Sequence, residues 1–394
     1  MRTLIIASLL PGDGATGVEA HIRSIVRAAV EFGIEARLVT PYSSSWLIQK
    51  ACNRIVNLLR RLDDERAHLL LRHIHRQRLR RFLRQAVVNA RETEVTIYAQ
   101  DPLSAAVALD IADNFNCRVA AVAHFNKSEA EEFVSKGVTR PGASLWRELM
   151  ETDESVLPKV DTLIFVSRYM RDAVQSRIPA VSRTECAVLP NICPTPEQTE
   201  PRTLRDAVCI GSLEPRKNQR FILRVVAACN ERGRPVTLDV IGDGEDRETL
   251  ASMARDLGID HLVRFLGKVP NASAWIPGYR VLLHAAHMES FGIVLTEAMA
   301  HGVPVIAAPV GGIPEVFSDG VEGLYWDTSR VDRAVSKLLQ LLNDPVLQSR
   351  LCRAARLRAS ICFSPEALSA RWLTTILAAR PNSESASHPQ SRAA

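Results

Sequence analysis

No apolar run in the 394 residues approaches the length needed to span a bilayer, so no transmembrane helix is expected. The eight cysteines form no CxxC pair and keep no Cys/His ligand spacing. That excludes a disulfide framework and a zinc site, and it fits a reduced, cytoplasmic compartment. Charge of one sign is scarce: the net charge is only +5, too mild to name nucleic acid or membrane as a partner by itself. Aromatic residues make up 5%, and no repeat of solenoid length occurs. The start, "MRTLIIASLLPGDG", has the look of a signal peptide, but its apolar part is short and runs into a glycine-rich turn. It reads as a first buried strand.

What is present is a soluble composition, 46% apolar and 24% charged, in a chain too long for one ordinary core. Short apolar runs such as "TLIIAS", "EVTIYA", "DTLIFVS", "DAVCIGS", "VLLHAA" and "PVIAAP" alternate with amphipathic stretches such as 218–232, 245–257 and 292–301. Unbroken apolar strands alternating with helices predict parallel sheets covered on both faces. The Pro-rich polar segment "CPTPEQTEPRT" at 193–203 reads as a linker between an α/β domain at 1–192 and a second at 204–362. Ser364 and Pro365 mark the start of a C-terminal helix within 363–380, expected to pack back on the N-terminal domain, and the polar tail 381–394 reads as disordered. Ligands of such sheets bind at the C-terminal strand ends, so the cleft between the domains is the natural site.

Gly12, Gly14 and Gly17 spell GxGxxG between a strand and a helix. A dinucleotide site also needs an acid at the end of the second strand, which here ends at Thr40 and Pro41, so NAD or FAD is not expected. A glycine-rich turn, or a loop whose N–H groups meet a phosphate or sugar, is the reading kept.

In the second domain "GSLEPRKNQRFIL" opens a helix after a strand, with Gly211 at its head and Arg216 and Lys217 beside the helix start. Two cations there suit a diphosphate, Arg as a planar fork and Lys as a point charge; an exposed basic turn is the plain alternative. "VIGDGEDRETL" is a similar junction whose acids need only a structural role at a helix start. "HMESFGIVLTEAMA" places Glu289 just before a helix and Glu297 near its middle. At about 1.5 Å of rise per residue they lie on the order of 10 Å apart, too far to share a proton or a small ion. They suit the two ends of one extended ligand, with the free N–H groups around Phe291, Gly292 and Ile293 facing anionic charge between them.

"ESFGIVLTEAMAHGVPVIAAPVGGIPEV", with "GSLEPRKN" upstream and the fainter "DTLIFVSRYM", "VLPN" and "GVEAHI", resembles the retaining GT-B glycosyltransferases of family 4. The resemblance covers most of 1–362 and is weak between 43 and 93. It implies the GT-B architecture, two Rossmann-like doubly wound α/β domains facing across a cleft, and transfer of a sugar from a UDP- or GDP-sugar. By that similarity Glu297 holds the ribose, Glu289 the donor sugar's hydroxyls, and Arg216 and Lys217 the leaving diphosphate. His124, at the end of "RVAAVAH", matches the family's histidine beside the donor sugar. Gly17 and Gly211 complete the expected donor set, although Val18 replaces the second glycine of the family's usual pair. Gly311, Gly312 and Asn191 match further family positions of lower rank. No D-x-D triplet occurs, and activity without a metal or other cofactor is expected. A nucleotide-sugar epimerase, a phosphorylase or a non-catalytic nucleotide-sugar-binding protein are the alternatives; no pyridoxal-phosphate lysine motif is present, and the intact set of acids and cations argues against a degenerate site.

Residues 46–92 carry twelve Lys or Arg against four Asp or Glu. Leu47, Ile48, Ala51, Ile55, Leu58, Leu59 and Leu62 fall on one side of a helical wheel, with Arg54, Arg60 and Arg61 outside it. Such a basic amphipathic insert suits an anionic membrane surface, with a core-packed helix pair as the alternative; together with it, the resemblance implies a lipid-linked or glycan acceptor in polysaccharide or glycolipid assembly. No aromatic platform accompanies it, so nucleic acid is not expected as a partner.

Overall fold

The computed structural model describes residues 2–12, 16–43, 62–90, 93–196 and 205–378, with positions 56, 59 and 60 besides. Two six-stranded sheets, parallel throughout, organise them. The first contains β1 (Arg2–Ala7), β2 (Glu35–Val39), β3 (Glu94–Ala99), β4 (Arg118–Ala123), β5 (Thr162–Phe165) and β6 (Glu185–Val188), in the order β2-β1-β3-β4-β5-β6. The second contains β7 (Arg205–Ile210), β8 (Leu238–Ile241), β9 (Val263–Gly267), β10 (Tyr279–His284), β11 (Val305–Ala307) and β12 (Gly323–Tyr325), in the order β12-β11-β10-β7-β8-β9. The winding reverses between β1 and β3 in one sheet and between β7 and β10 in the other. Crevices open at the C-terminal ends of those strands.

The helices of the N-terminal half are α1 (Gly17–Glu31), α2 (Asp64–Asn89), α3 (Pro102–Phe115), α4 (Glu129–Ser135), α5 (Ser144–Val156) and α6 (Arg168–Arg177). Those of the C-terminal half are α7 (Gln219–Glu231), α8 (Arg247–Asp256), α9 (Ile293–His301), α10 (Ile313–Val316), α11 (Val331–Asn343), α12 (Pro345–Cys362) and α13 (Pro365–Ile376). Side chains alternate across the second sheet: Val281 and Leu283 join an outer cluster, while Leu282 joins a cluster continuous with the N-terminal half. That continuity is local chemistry at the return of the chain. Ser364 caps α13 and Pro365 opens it. Phe363 meets Phe291 edge-on at 5.7 Å, and its carbonyl accepts from Cys193 N (2.7 Å). Trp372, fully buried, donates from Nε1 to the Pro190 carbonyl (2.9 Å), and α13 packs against α1.

Where it is described, the basic insert has the packed face of the core-packed alternative and a basic exposed face. α2 is packed into the N-terminal half, burying Ala67, His75, Leu79, Leu83 and Val87 on one face. Arg72 is buried on that same face because two carboxylates meet it, Glu129 and Glu148, each at 3.2 Å. Arg80, Arg81 and Arg84 remain exposed opposite. Most of the first wheel, 46–58, lies outside the described residues, as do Gly14, 197–204 of the linker region and the tail from 379. No described helix is long and apolar enough to cross a membrane. The described cysteines are unbridged.

Candidate functional site

The C-terminal half of the site is two loops laced together across the β7/β10 switch point. After β7 the chain makes a short turn, Pro215–Lys217, closed by Asn218 in the left-handed region at φ +53°, which Asn tolerates. The turn aims Arg216 and Lys217 at the loop after β10. Lys217 Nζ donates to Glu289 Oε2 (2.5 Å), and His284 Nε2 lies 3.2 Å from the same oxygen. Arg216 donates to Glu214 (2.5 Å) and to the Met288 carbonyl (3.2 Å), while its own carbonyl accepts from His287 N (2.8 Å). Ser212 also donates to Glu214 (2.9 Å).

Glu289 is only 7% exposed. Burial alone would raise its pKa, but the Lys217 charge and the His284 hydrogen bond outweigh burial and hold it well below the usual carboxylate range. Burial lowers His284, against the opposing pull of Glu289. Glu289 is therefore ionised and His284 neutral near pH 7, with Nε2–H as the donor between them. The plain alternative of an exposed basic turn does not hold: Arg216 and Lys217 are each paired with a carboxylate, because partly buried charges at 14% and 18% exposure need counter-charges nearby.

Glu297 stands on α9, whose N-cap is Gly292 at φ +86° with no side-chain cap, so the first-turn N–H groups have no side-chain acceptor. A cavity of about 640 Å³ lies between the halves. Glu297, His301, Lys268 and Asn271 line it from one side, Arg23 and Arg27 from the other; Glu289 is not in its lining. Burial pushes the Glu297 carboxyl up to about 7, opposed by the charge of Arg23.

The N-terminal half contributes neutral rings. His124 follows β4, with Nε2 3.2 Å from Gln100 Oε1 and its ring 5.0 Å from that of His21. His21 is fully buried, 2.9 Å from the Tyr98 hydroxyl and ring-to-ring 4.6 Å from Trp372. Burial brings His124 down to about 4 and His21 well below its ordinary value. Asn191, buried at the chain crossing, opposes that lowering of His21. Gly17 opens α1, capped by Thr16 and Glu19 in a capping box. A Cβ on Gly17 would stand 3.3 Å from Ile293 Cδ1, so the starts of α1 and α9 meet there.

Two distant motifs form a clamp around the Glu289 loop. Gly312 N donates to the Glu289 carbonyl (2.9 Å), and Ser167 Oγ from the other half donates to the Ser290 carbonyl (2.8 Å). Glu315 accepts from the backbone of Arg168 and Tyr169 (2.9 Å each), capping α6 from across the cleft. A Cβ on Gly311 would lie 1.9 Å from the Glu289 carbonyl oxygen, and one on Gly312 2.1 Å from that of Ser290. The glycine pair is what lets these backbones touch.

The structure thus gathers Arg216, Lys217 and Glu289 at one point and sets Glu297 in the cavity lining, with Phe291, Gly292 and Ile293 on the chain between them and His124 in the facing half. Gly211 is different. Its N–H donates to Ile241 (3.0 Å), and its carbonyl occupies the space of a Cβ on Gly242, 1.9 Å away. It serves close backbone packing of the two loops. Sequence reasoning missed His284, Glu214, His21 and Arg23. His284 had a signal, a lone polar residue ending an apolar strand five positions before Glu289; Glu214 and His21 lay inside the quoted motifs "GSLEPRKN" and "GVEAHI", and Arg23 showed only through tertiary contact.

Comparisons with known proteins bear on the same features. The family described as Glycosyltransferase Family 4 matches residues 15–195, and Glycosyl transferases group 1 matches 195–358. A GDP-mannose-dependent alpha-(1-6)-phosphatidylinositol monomannoside mannosyltransferase of Mycolicibacterium smegmatis is 32% identical over 209 residues, covering 47% of this chain and 54% of that protein. A D-inositol 3-phosphate glycosyltransferase of Frankia alni is 34% identical over 162 residues, 38% and 40% of the respective chains. The match thus spans about half of these curated relatives or less. Among solved structures, sucrose-phosphate synthase from Thermosynechococcus elongatus superposes with a TM-score of 0.72 at 17% identity, covering 94% of this chain and 98% of that one. Anabaena HepE in complex with UDP-glucose gives 0.69 at 18% identity, covering 95% and 99%. With two doubly wound halves, a cleft between them and these matches, the chain belongs to the GT-B glycosyltransferases of family 4.

Proposed function

We propose that the protein transfers a hexosyl group from a nucleoside diphosphate sugar to a lipid-linked or glycan acceptor, with retention of anomeric configuration. The observation that carries this is the Lys217–Glu289–His284 contact with Arg216 at the switch point, together with a cavity between the halves lined by Glu297, eight residues along the chain from Glu289. In this reading the ribose hydroxyls bond the Glu297 carboxylate and the diphosphate lies at the start of α9 beside Arg216 and Lys217. The donor sugar's hydroxyls reach Glu289 and the neutral His124 stands beside the sugar. As the anomeric C–O bond breaks, the electron pair goes to the diphosphate. Lys217 and Arg216 stabilise that charge by loosening from their carboxylates. The acceptor hydroxyl adds to the anomeric carbon on the face the diphosphate leaves, and its proton passes to the departing phosphate oxygen. No metal ion is required in this scheme; loss of activity in EDTA, restored by magnesium, would contradict it.

The donor is a UDP- or GDP-sugar: the mannosyltransferase relative is named for GDP-mannose, and HepE was solved with UDP-glucose. Hydrolysis and thermal-shift screens with UDP-, GDP- and ADP-sugars test the reading directly. Stabilisation and turnover with one donor are expected; indifference to all would refute it. The exposed Arg80, Arg81 and Arg84 of α2, and the relative named for a phosphatidylinositol mannoside, support peripheral contact with an anionic membrane surface on its cytoplasmic face. Flotation with anionic liposomes tests this, and no binding would reject it.

A further inference from the structure

α1 buries His21, Ile22, Ile25, Ala28 and Ala29 on one side. Its opposite side is a second continuous stripe: Ala20, then Arg23 and Ser24, then Arg27, then Glu31 recur at the three-to-four-residue spacing of one helix face, and all line the 640 Å³ cavity. Facing them across the cavity are Lys268, Asn271 and Ser273 after β9, with Glu297 and His301 on α9. The cavity therefore has one wall from each half, and the N-terminal wall is the more basic. Arg23 Nη1 also reaches the Gly12 carbonyl (3.5 Å), which ties this wall to the glycine loop after β1.

Resting on the donor reading above, we infer that α1 is the second half of the nucleotide site: Arg23 and Arg27 hold the base of the donor nucleotide from the acceptor-side half. With the ribose hydroxyls on Glu297, the base occupies the rest of the same cavity, and the wall it meets there on the N-terminal side is Arg23–Ser24–Arg27. A guanidinium plane stacks on a base face and donates to a base carbonyl, which uracil and guanine both carry; an ammonium does neither as well. The two cations also complement the negative charge of the nucleotide as it enters.

Calorimetric titration of the full chain with UDP and with GDP tests this, using wild type, R23A, R27A, the double variant, R27K and E297A. Arg23 and Arg27 are exposed, so the variants keep the fold, and melting curves check it. The double variant is expected to lose about tenfold or more in affinity for whichever nucleotide the wild type binds, with R27K recovering only part of the loss of R27A. Double-variant affinity within about twofold of wild type, alongside loss in E297A, would overturn the role of α1 and leave the donor site standing. Wild-type affinity in E297A, or no binding of either nucleotide by the wild type, would overturn both.

Discussion

Glu289 and Glu297 come from the same fourteen-residue stretch and titrate in opposite directions. Glu289 has a lysine at 2.5 Å and a histidine at 3.2 Å on one oxygen, and its carboxyl is held well down. Glu297 has burial and the opposing charge of Arg23, and is pushed up to about 7. The difference is one of support. Glu289 is fixed by the loop after β7, by the strand end at His284 and by the clamp from the other half, as befits a group at a reacting centre. Glu297 projects from a nearly apolar helix into a cavity whose second wall is another domain, as befits a group that reads a ligand. Burial is common to both; the counter-charge decides the sign.

Removing that counter-charge should break the comparison most severely. K217A leaves Glu289 buried with only a neutral histidine, so its pKa should rise toward that of Glu297. Turnover should fall about 10²–10³-fold. Breaking the pair should also cost about 3 kcal/mol of stability, read in melting or urea curves. G311A should come next: at φ +58°, with the Glu289 carbonyl in the space of its Cβ, the side chain both strains the turn and shifts Glu289. A loss of roughly 1–3 kcal/mol with reduced turnover is expected.

E297Q sharpens the other side. The folded state holds a proton on Glu297 up to about 7, above the ordinary 4.5, so it binds more protons than the unfolded chain in that window. The contribution of Glu297 to stability is therefore present at low pH and lost as pH rises through about 7. E297Q should flatten that slope. In the wild type the donor KM should fall as pH rises through the same range, since the ribose needs the ionised form; in E297Q it should be high and independent of pH. Glu289 has the reverse sign, its contribution present above the ordinary value and lost only in strong acid. The smallest effect belongs to the clamp. S167A removes one neutral hydrogen bond to the Ser290 carbonyl, worth about 1 kcal/mol. It should lower turnover more than nucleotide affinity.

The alternation of apolar runs and amphipathic stretches made both sheets legible, and Ser364–Pro365 marked α13 correctly. Strand order was not legible, because β7 joins β10 across two intervening strands and nothing local records that. At the site, the spacing of Glu289 and Glu297 predicted two separate places, and the structure puts one at the Lys217 contact and the other in the cavity lining. Their partners were hidden: Lys217 and Glu289 are 72 positions apart, and a free-looking "PRK" turn gives no sign that its charges are already matched. The basic insert suggested an interfacial helix from its charge excess alone; nothing local shows that Arg72 is buried against two carboxylates, which come from α4 and α5. The glycines were visible as residues, but only contact distances separate Gly311 at the Glu289 loop from Gly211 in loop packing.

The central claim is a division of labour, Glu297 for the nucleotide and Glu289 for the reacting sugar. The direct measurement is nucleotide affinity and turnover compared in E289A and E297A. The account predicts that E297A loses nucleotide affinity, whereas E289A keeps it and loses turnover. Equal loss of nucleotide affinity in both variants, or full turnover in E289A, would contradict it.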